Sequence, residues 1–85
     1  MDDETLIIYG YVISSSYRTK ALKSLIDENK TPTEISNDSG IKVNHISNVL
    51  RQLKDKNLCV CINEEDRKHR IYKLTDLGRE ITENL

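Results

Sequence analysis

Between positions 44 and 55 the sequence sets Asn44, His45, Asn48, Arg51, Gln52 and Asp55 among the apolar residues Ile46, Val49, Leu50 and Leu53. Apolar spacings of three, one and three match one face of an α-helix, so the polar set falls outward. Asn and Gln can bond an adenine edge through two hydrogen bonds at once, and Arg a guanine edge, in the major groove of DNA. The same residues also suit an ordinary solvated helix face, and their types alone leave both readings open.

A second cluster follows. Glu64, Glu65 and Asp66 run directly into Arg67, Lys68, His69 and Arg70. Arg67, Lys68 and Arg70 can lie along a phosphate backbone, which supplies salt-sensitive affinity without sequence information. Alternatively the three acids neutralise the three bases within the loop. The whole chain carries 13 Lys and Arg against 14 Asp and Glu, a net charge of −1. That total hides a gradient, because the stretch from Lys42 to Lys56 is basic, and a local patch matters more for partner choice than the sum. Lys42 therefore joins the candidates for phosphate contact.

Cys59 and Cys61 are the thiols a metal would use, with His45 and His69 as further nitrogen ligands. Two residues apart on a strand they share a face, but two ligands make half of a tetrahedral site, and small buried cysteines are the commoner use of such a pair. We expect neither a metal nor another cofactor. No nucleophile elbow, phosphate-cradling glycine loop or two-histidine metal motif is present, and the three glycines lie scattered at 10, 40 and 78, so no enzyme is expected.

At 85 residues the chain is expected to form one domain, 1–85, without room for a separate sensing or catalytic unit. The apolar run from Leu6 to Val12 is interrupted by Gly10 and two tyrosines and falls far short of a membrane span. An acidic start (Asp2, Asp3, Glu4) is opposite in charge to an export signal, and the expected compartment is the cytoplasm.

The elements that must hold these clusters are legible from periodicity and caps. Leu6, Tyr9, Ile13, Tyr17, Ala21 and Leu25 recur at helical spacing, with a break near Ser14–Ser16 and a firmer helix from about Ser16 to Glu28. The segment Thr5–Ile13 is also rich in strand-forming residues, which leaves its type open. Thr31-Pro32-Thr33-Glu34 is a capping box with Pro at the first helical position, and Gly40 stops the helix it starts. Asn44 is the expected N-cap of the next helix, reaching about residue 56, and Asn57 its left-handed C-terminal residue. Leu58–Ile62 and Arg70–Leu74 read as a strand hairpin, and Thr75 caps a last helix. Two helices joined by a tight Gly-containing turn make a helix-turn-helix.

Taken together, Ser16-Tyr17-Arg18 with Ala21-Leu22, Thr31-Pro32-Thr33-Glu34-Ile35, the run from Asn44 to Leu53, and above all Arg70-Ile71-Tyr72-Lys73-Leu74-Thr75-Asp76-Leu77-Gly78 resemble the winged helix-turn-helix transcriptional regulators. The likeness is to the broad ArsR/MarR-like group, especially its short archaeal members, and it covers nearly the whole chain. It implies an α+β, mostly α fold: a three-helix core, a two-stranded wing hairpin and a C-terminal helix. It further implies a DNA-binding regulator with Asn44, His45, Ser47, Asn48 and Arg51 near bases or phosphates and the wing on the backbone. Asn57 and His69 stand where such proteins commonly have Gly. Leu58-Cys59-Val60-Cys61 looks like the cysteine motif of arsenic-type sensors, but lies in the strand after the recognition helix and not in a helix before it.

The leading expectation is a homodimer on double-stranded DNA, not at a membrane. Surplus apolar residues at the two ends (Leu6, Ile7, Tyr9 and Tyr11, with Ile81 and Leu85) are expected to form the dimer surface. Near-neutral net charge keeps a second class open, a winged-helix module that binds protein; an RNA-binding winged helix is a third.

Overall fold

A computed structural model describes all 85 residues. The elements run α1 (Asp3–Ile13), α2 (Ser16–Ser24), α3 (Pro32–Ser39), α4 (Val43–Asp55), β1 (Cys59–Cys61), β2 (Tyr72–Leu74) and α5 (Asp76–Glu83). This is the expected α+β, mostly helical arrangement, with β1 and β2 antiparallel as the wing hairpin.

The ambiguous N-terminal segment is helical. The Asp2 carboxylate accepts the N–H of Thr5 at 2.8 Å, and Asp3 and Glu4 add negative charge to the first turn, where the helix dipole favours it. The expected apolar stripe is not the buried one, however. Leu6, Ile13 and Tyr17 are exposed, while Thr5 and Val12 are buried and Ile8 and Tyr9 pack on the core. The cause is the break: α1 ends at Ser14 and Ser15 caps α2 by accepting the N–H of Arg18. Two helices with independent rotation replace one continuous period.

Helix α2 stops at Ser24, short of Glu28. The N–H groups of Leu25 and Ile26 reach back only three residues, to Leu22 and Lys23, which tightens and closes the last turn. The chain then swings to the sheet, where Lys30 and Tyr72 exchange both backbone hydrogen bonds at 3.1 and 2.8 Å. The Lys30 ammonium also bonds the Ser24 carbonyl and pairs with Asp38 at 3.4 Å. One residue thus ties α2, α3 and β2 together.

The capping box forms as the sequence indicates: Thr31 Oγ1 accepts the N–H of Glu34, and the Glu34 carboxylate accepts the N–H of Thr31. Gly40 takes the left-handed conformation, φ 76°, that ends α3. Asn44 is not the next N-cap. That place falls to Lys42, whose carbonyl accepts from His45 and Ile46, and no side chain caps α4. Ile41 must enter the core immediately after Gly40, so the turn is short and Asn44 is drawn into the first helical turn.

Helix α4 carries the centre of the core. Ile46, Val49, Leu50 and Leu53 are buried with Ala21, Leu22 and Leu25, with Ile35 and Ile41, and with Leu58, Cys59, Leu74, Val12 and Ile81. Asn57 adopts φ 59° and turns the chain into β1. The strands are shorter than the apolar runs: Cys59 pairs with Leu74, Val60 with Lys73 and Cys61 with Tyr72, and Ile62 N–H to Ile71 O extends the ladder one step. Beyond that, side-chain bonds of Asn63 and Asp66 take over the backbone groups of the wing.

Thr75 caps α5, and Gly78 in its first turn lies against the backbone of Leu58. Ile81 is fully buried inside the chain, and Leu85 packs partly on the same core. The C-terminal helix therefore does not offer Ile81 to a dimer surface. A Cβ at residue 78 would stand 2.0 Å from the Leu58 carbonyl oxygen and 3.2 Å from Leu74 Cδ2. Since a backbone carbonyl cannot yield as a flexible side chain does, Gly78→Ala is expected to cost about 2 kcal/mol or more. In a domain of this size that lowers the melting temperature by roughly 8–16 °C, which thermal unfolding followed by circular dichroism will measure; an unchanged melting temperature would contradict the close approach.

Candidate nucleic-acid interface

Burying Ile46, Val49, Leu50 and Leu53 fixes the rotation of α4 and divides its remaining surface into three faces. Asn44, Asn48, Arg51 and Asp55 point most directly away from the core, by the helical period. Val43, Ser47, Arg51 and Lys54 turn toward the wing. His45, Gln52 and Lys56 turn toward α1 and α2.

The last face is already engaged. The His45 ring lies 5.6 Å from that of Tyr17 at a tilt of 52°, a range in which aromatic rings attract. Gln52 Oε1 accepts from Arg18 at 3.3 Å. Arg18 also donates to the Tyr11 carbonyl and to Ser14 Oγ and stacks 3.9 Å above the Tyr11 ring, which Lys56 approaches at 5.2 Å. The Arg18 guanidinium therefore fixes α1, α2 and α4 to one another, and it holds the outer end of Gln52.

The wing is built from its own polar side chains. Asp66 accepts the N–H groups of His69 and Lys68 at 3.0 and 2.9 Å, and these bonds hold its carboxyl below the usual carboxylate range. Asn63 donates to the His69 carbonyl and accepts the N–H of Ile71, at 2.8 and 2.7 Å, closing the base of the loop. Arg70 donates to the carbonyls of Asp66 and Glu64 at 3.3 and 3.2 Å. Glu64 pairs with Lys54 of α4, which lowers the acid's pKa and raises the amine's. Both partners are exposed, so the pair sets the wing's position more than it stabilises the fold.

Between α4 and the wing lies an open cleft of about 360 Å³. Ser47, Arg51 and Lys54 form one wall, Arg67, Lys68 and Arg70 the other, and Pro32, Leu50 and Tyr72 the floor. Five cationic side chains converge there, with Glu64 as the acid bonded into the wall. A groove of this kind focuses positive potential and draws anions.

Of the residues singled out in the sequence, Ser47, Arg51, Arg67, Lys68 and Arg70 meet in the cleft. Asn44 and Asn48 stand beside it on the outermost face, and Lys42 sits at the start of α4. His45 and Gln52 lie on the far side of α4, against α2. Sequence reasoning missed Lys54, Val43 and Tyr17. Lys54 was findable, since it continues the spacing Ser47–Arg51 by three residues. Nothing in the local pattern signals the pairing of Tyr17 with His45, because residues 28 apart meet only in the fold.

Cys59 is fully buried and Cys61 half-buried. Burial pushes the Cys59 thiol up to about 11 despite the nearby Lys54 ammonium, so at neutral pH it is the protonated form that packs in the core. No three His, Cys, Asp or Glu side chains come together as a metal would need.

The lowered pKa of Asp66 gives the wing a pH dependence of definite sign. Its carboxylate supports the turn at neutral and mildly acidic pH, and the support is lost as pH falls through the lowered value. In an NMR titration the amide signals of Lys68 and His69 are expected to move together, with a midpoint below the ordinary Asp value of about 3.9. Asp66→Asn abolishes that movement. A midpoint at or above the ordinary value contradicts the bonding of the loop.

The sequence matches no protein-family model and no curated protein sequence. Its structure matches solved ones. HlyU from Vibrio cholerae superposes with a TM-score of 0.78 at 16% identity, over 99% of this chain and 92% of that one. BpsR from Bordetella bronchiseptica, whose DNA binding is regulated by 6-hydroxynicotinic acid, gives 0.75 at 20% identity over 94% and 62%. The homodimeric winged helix-turn-helix DNA-binding domain of Mb0332 from Mycobacterium bovis gives 0.72 at 16% identity, over 99% and 80%. Against ZitR from Lactococcus lactis this chain spans about half the length, 49%, at 17% identity. At these identities the likeness is one of architecture: the chain has the winged helix-turn-helix fold.

Proposed function

We propose that the chain is a sequence-specific, DNA-binding transcriptional regulator that acts as a homodimer. Helix α4 enters the major groove with Asn44, Asn48 and Arg51 toward base edges, while Arg67 and Lys68 hold the phosphate backbone. The observation that carries this reading is the cationic cleft between α4 and the wing, flanked by an outward Asn–Asn–Arg stripe. Two independent requirements meet on one surface, phosphate attraction and side chains able to read purine edges. The N–H groups of Val43 and Asn44 have no partner within the chain, as suits a helix end that faces an anion. Lys42 and Ser47 are further phosphate contacts in this reading, and Lys54 holds the wing through Glu64. His45 and Gln52 position α4 against α2, and Arg70 shapes the wing from within. Membership of the ArsR/MarR-like group, and of its short archaeal type, rests on the sequence resemblance, and cytoplasmic action follows from the proposed role.

The dimer surface in this proposal is the outer face of α1. Leu6, Ile7 and Ile13 are exposed there around Gly10, with Ile7 75% exposed. Tyr9 and Tyr11 are used within the chain, Tyr9 donating to the Asn84 carbonyl at 3.1 Å and Tyr11 stacking under Arg18. A helix apolar on both sides is covered on both sides in a stable assembly. Sedimentation at micromolar concentration is expected to find a dimer for the wild type and a folded monomer for Ile7→Glu; a monomeric wild type at high micromolar concentration removes this part of the reading.

The test of DNA binding is a titration of random-sequence duplex at low and moderate salt. Wild type is expected to bind with a steep salt dependence, and Arg51→Ala/Lys68→Ala to bind much more weakly. Arg67→Ala and Lys68→Ala each lower the salt slope by about 0.9 and weaken all sequences alike. Asn48→Ala and Arg51→Ala instead relax preference at particular base pairs, by roughly 1–3 kcal/mol. Absence of binding at low salt overturns the proposal in favour of a module that binds protein.

A further inference from the structure

Val43 opens α4 with its side chain 47% exposed, and it is the one large hydrophobic side chain exposed on that helix. The other exposed aliphatic residues lie elsewhere: Met1, Leu6, Ile7 and Ile13 at the N-terminal end and on α1, Ile26 in the turn after α2, and Val60 and Ile62 at β1. Around Val43 the surface is polar. It borders a shallow depression with Thr33 and Glu34 of α3 and Lys68 and His69 of the wing. Asn44, His45, Ser47 and Asn48 in the first two turns of α4 are all polar and exposed, so the valine contributes nothing to the core and interrupts an otherwise hydrophilic face.

We infer that Val43 is a specificity-determining contact that reads the C5-methyl group of a thymine in the major groove. This deepens the DNA-binding reading above and rests on it. Thymine is the base that presents an apolar group in that groove, and apolar side chains are what recognise it. Residues at the N-terminal end of a recognition helix are those that reach base edges. Val43 holds that position, on the wing-facing side of α4 with Ser47, Arg51 and Lys54. Asn44, Asn48 and Arg51 can read purine edges by hydrogen bonds but cannot tell thymine from uracil. Val43 can, because the two bases differ by the one methyl group.

The experiment selects a preferred duplex from a random library with the wild-type protein, then replaces each thymine in turn by deoxyuridine. At one thymine per half-site, loss of the methyl is expected to weaken wild-type binding about three- to fivefold, the effect of exposing one buried methyl to water. Val43→Ala binds the thymine and deoxyuridine duplexes equally at that position, while keeping the salt slope of the wild type and, since Val43 is outside the core, its thermal unfolding. A selected site at which no deoxyuridine substitution matters, or a penalty that persists in Val43→Ala, overturns the inference and leaves the DNA reading intact. Failure to bind any duplex overturns both, and the two outcomes are distinct in the same titration.

Discussion

The outward face of helix α4 is oriented by the burial of one helical stripe on its opposite side. Ile46, Val49, Leu50 and Leu53 supply four of the fourteen core residues, and each is within 5% of complete burial. A domain of this size buries only about 60% of its unfolded surface, so it has little apolar material to redistribute. Rotating α4 by one residue would exchange a leucine for a lysine or an arginine in the core, at a cost of several kcal/mol. The orientation of Asn44, Asn48 and Arg51 is therefore set by the side chains on the opposite face of the same helix.

The wing obeys a different principle. Its tip has almost no core: Asn63, Glu64, Asp66 and Arg70 shape it through hydrogen bonds to backbone groups and to Lys54. Two of the three acids that look at first like an obstacle to binding a polyanion are structural. Glu64 anchors the wing to α4 and Asp66 closes its turn, which leaves Arg67 and Lys68 with no partner inside the chain for their side-chain charges. The internal neutralisation offered by the sequence does not form: Arg70 bonds the backbone carbonyls of Glu64 and Asp66, and neither it nor Arg67 or Lys68 pairs with a loop carboxylate. Phosphate contact by Arg67 and Lys68 therefore stands as the proposal.

What could be read in the sequence was whatever is encoded locally. The capping box at Thr31, the stop at Gly40, the left-handed Asn57 and the cap at Thr75 each need only a few consecutive residues, and all four appear in the structure. The stripe of α4 was legible because its amphipathic period is strong. Helix α1 was not, because it is apolar on nearly every side and its buried face is chosen by contact with α2 and α5, not by its own pattern. Gly78 illustrates the same limit. Its place in the resemblance could be seen, but the reason for it, the carbonyl of Leu58 lying where a Cβ would be, depends on a neighbour twenty positions away. In the candidate site, the engagement of Gln52 by Arg18 and of His45 by Tyr17 was hidden for that reason too.

The charge balance sharpens what a DNA-binding role demands of this chain. Five cationic side chains line the cleft, but Arg70 is committed within the wing and Lys54 to Glu64. Arg51, Arg67 and Lys68 remain in the cleft, with Lys42 at the start of α4, on a chain whose net charge is −1. So few phosphate-scale contacts on one copy give a shallow salt dependence and weak non-specific affinity, and the steep dependence expected of the protein requires both copies of the dimer. A single copy would thus hold DNA poorly, whereas two copies joined through α1 double the contacts and make the second engagement intramolecular, which raises affinity without any new chemistry. A low cationic count also suppresses binding to random sequence, so a larger share of the binding energy falls on groups that discriminate between bases. In the proposed role, dimerisation and base readout are linked requirements of the same near-neutral composition.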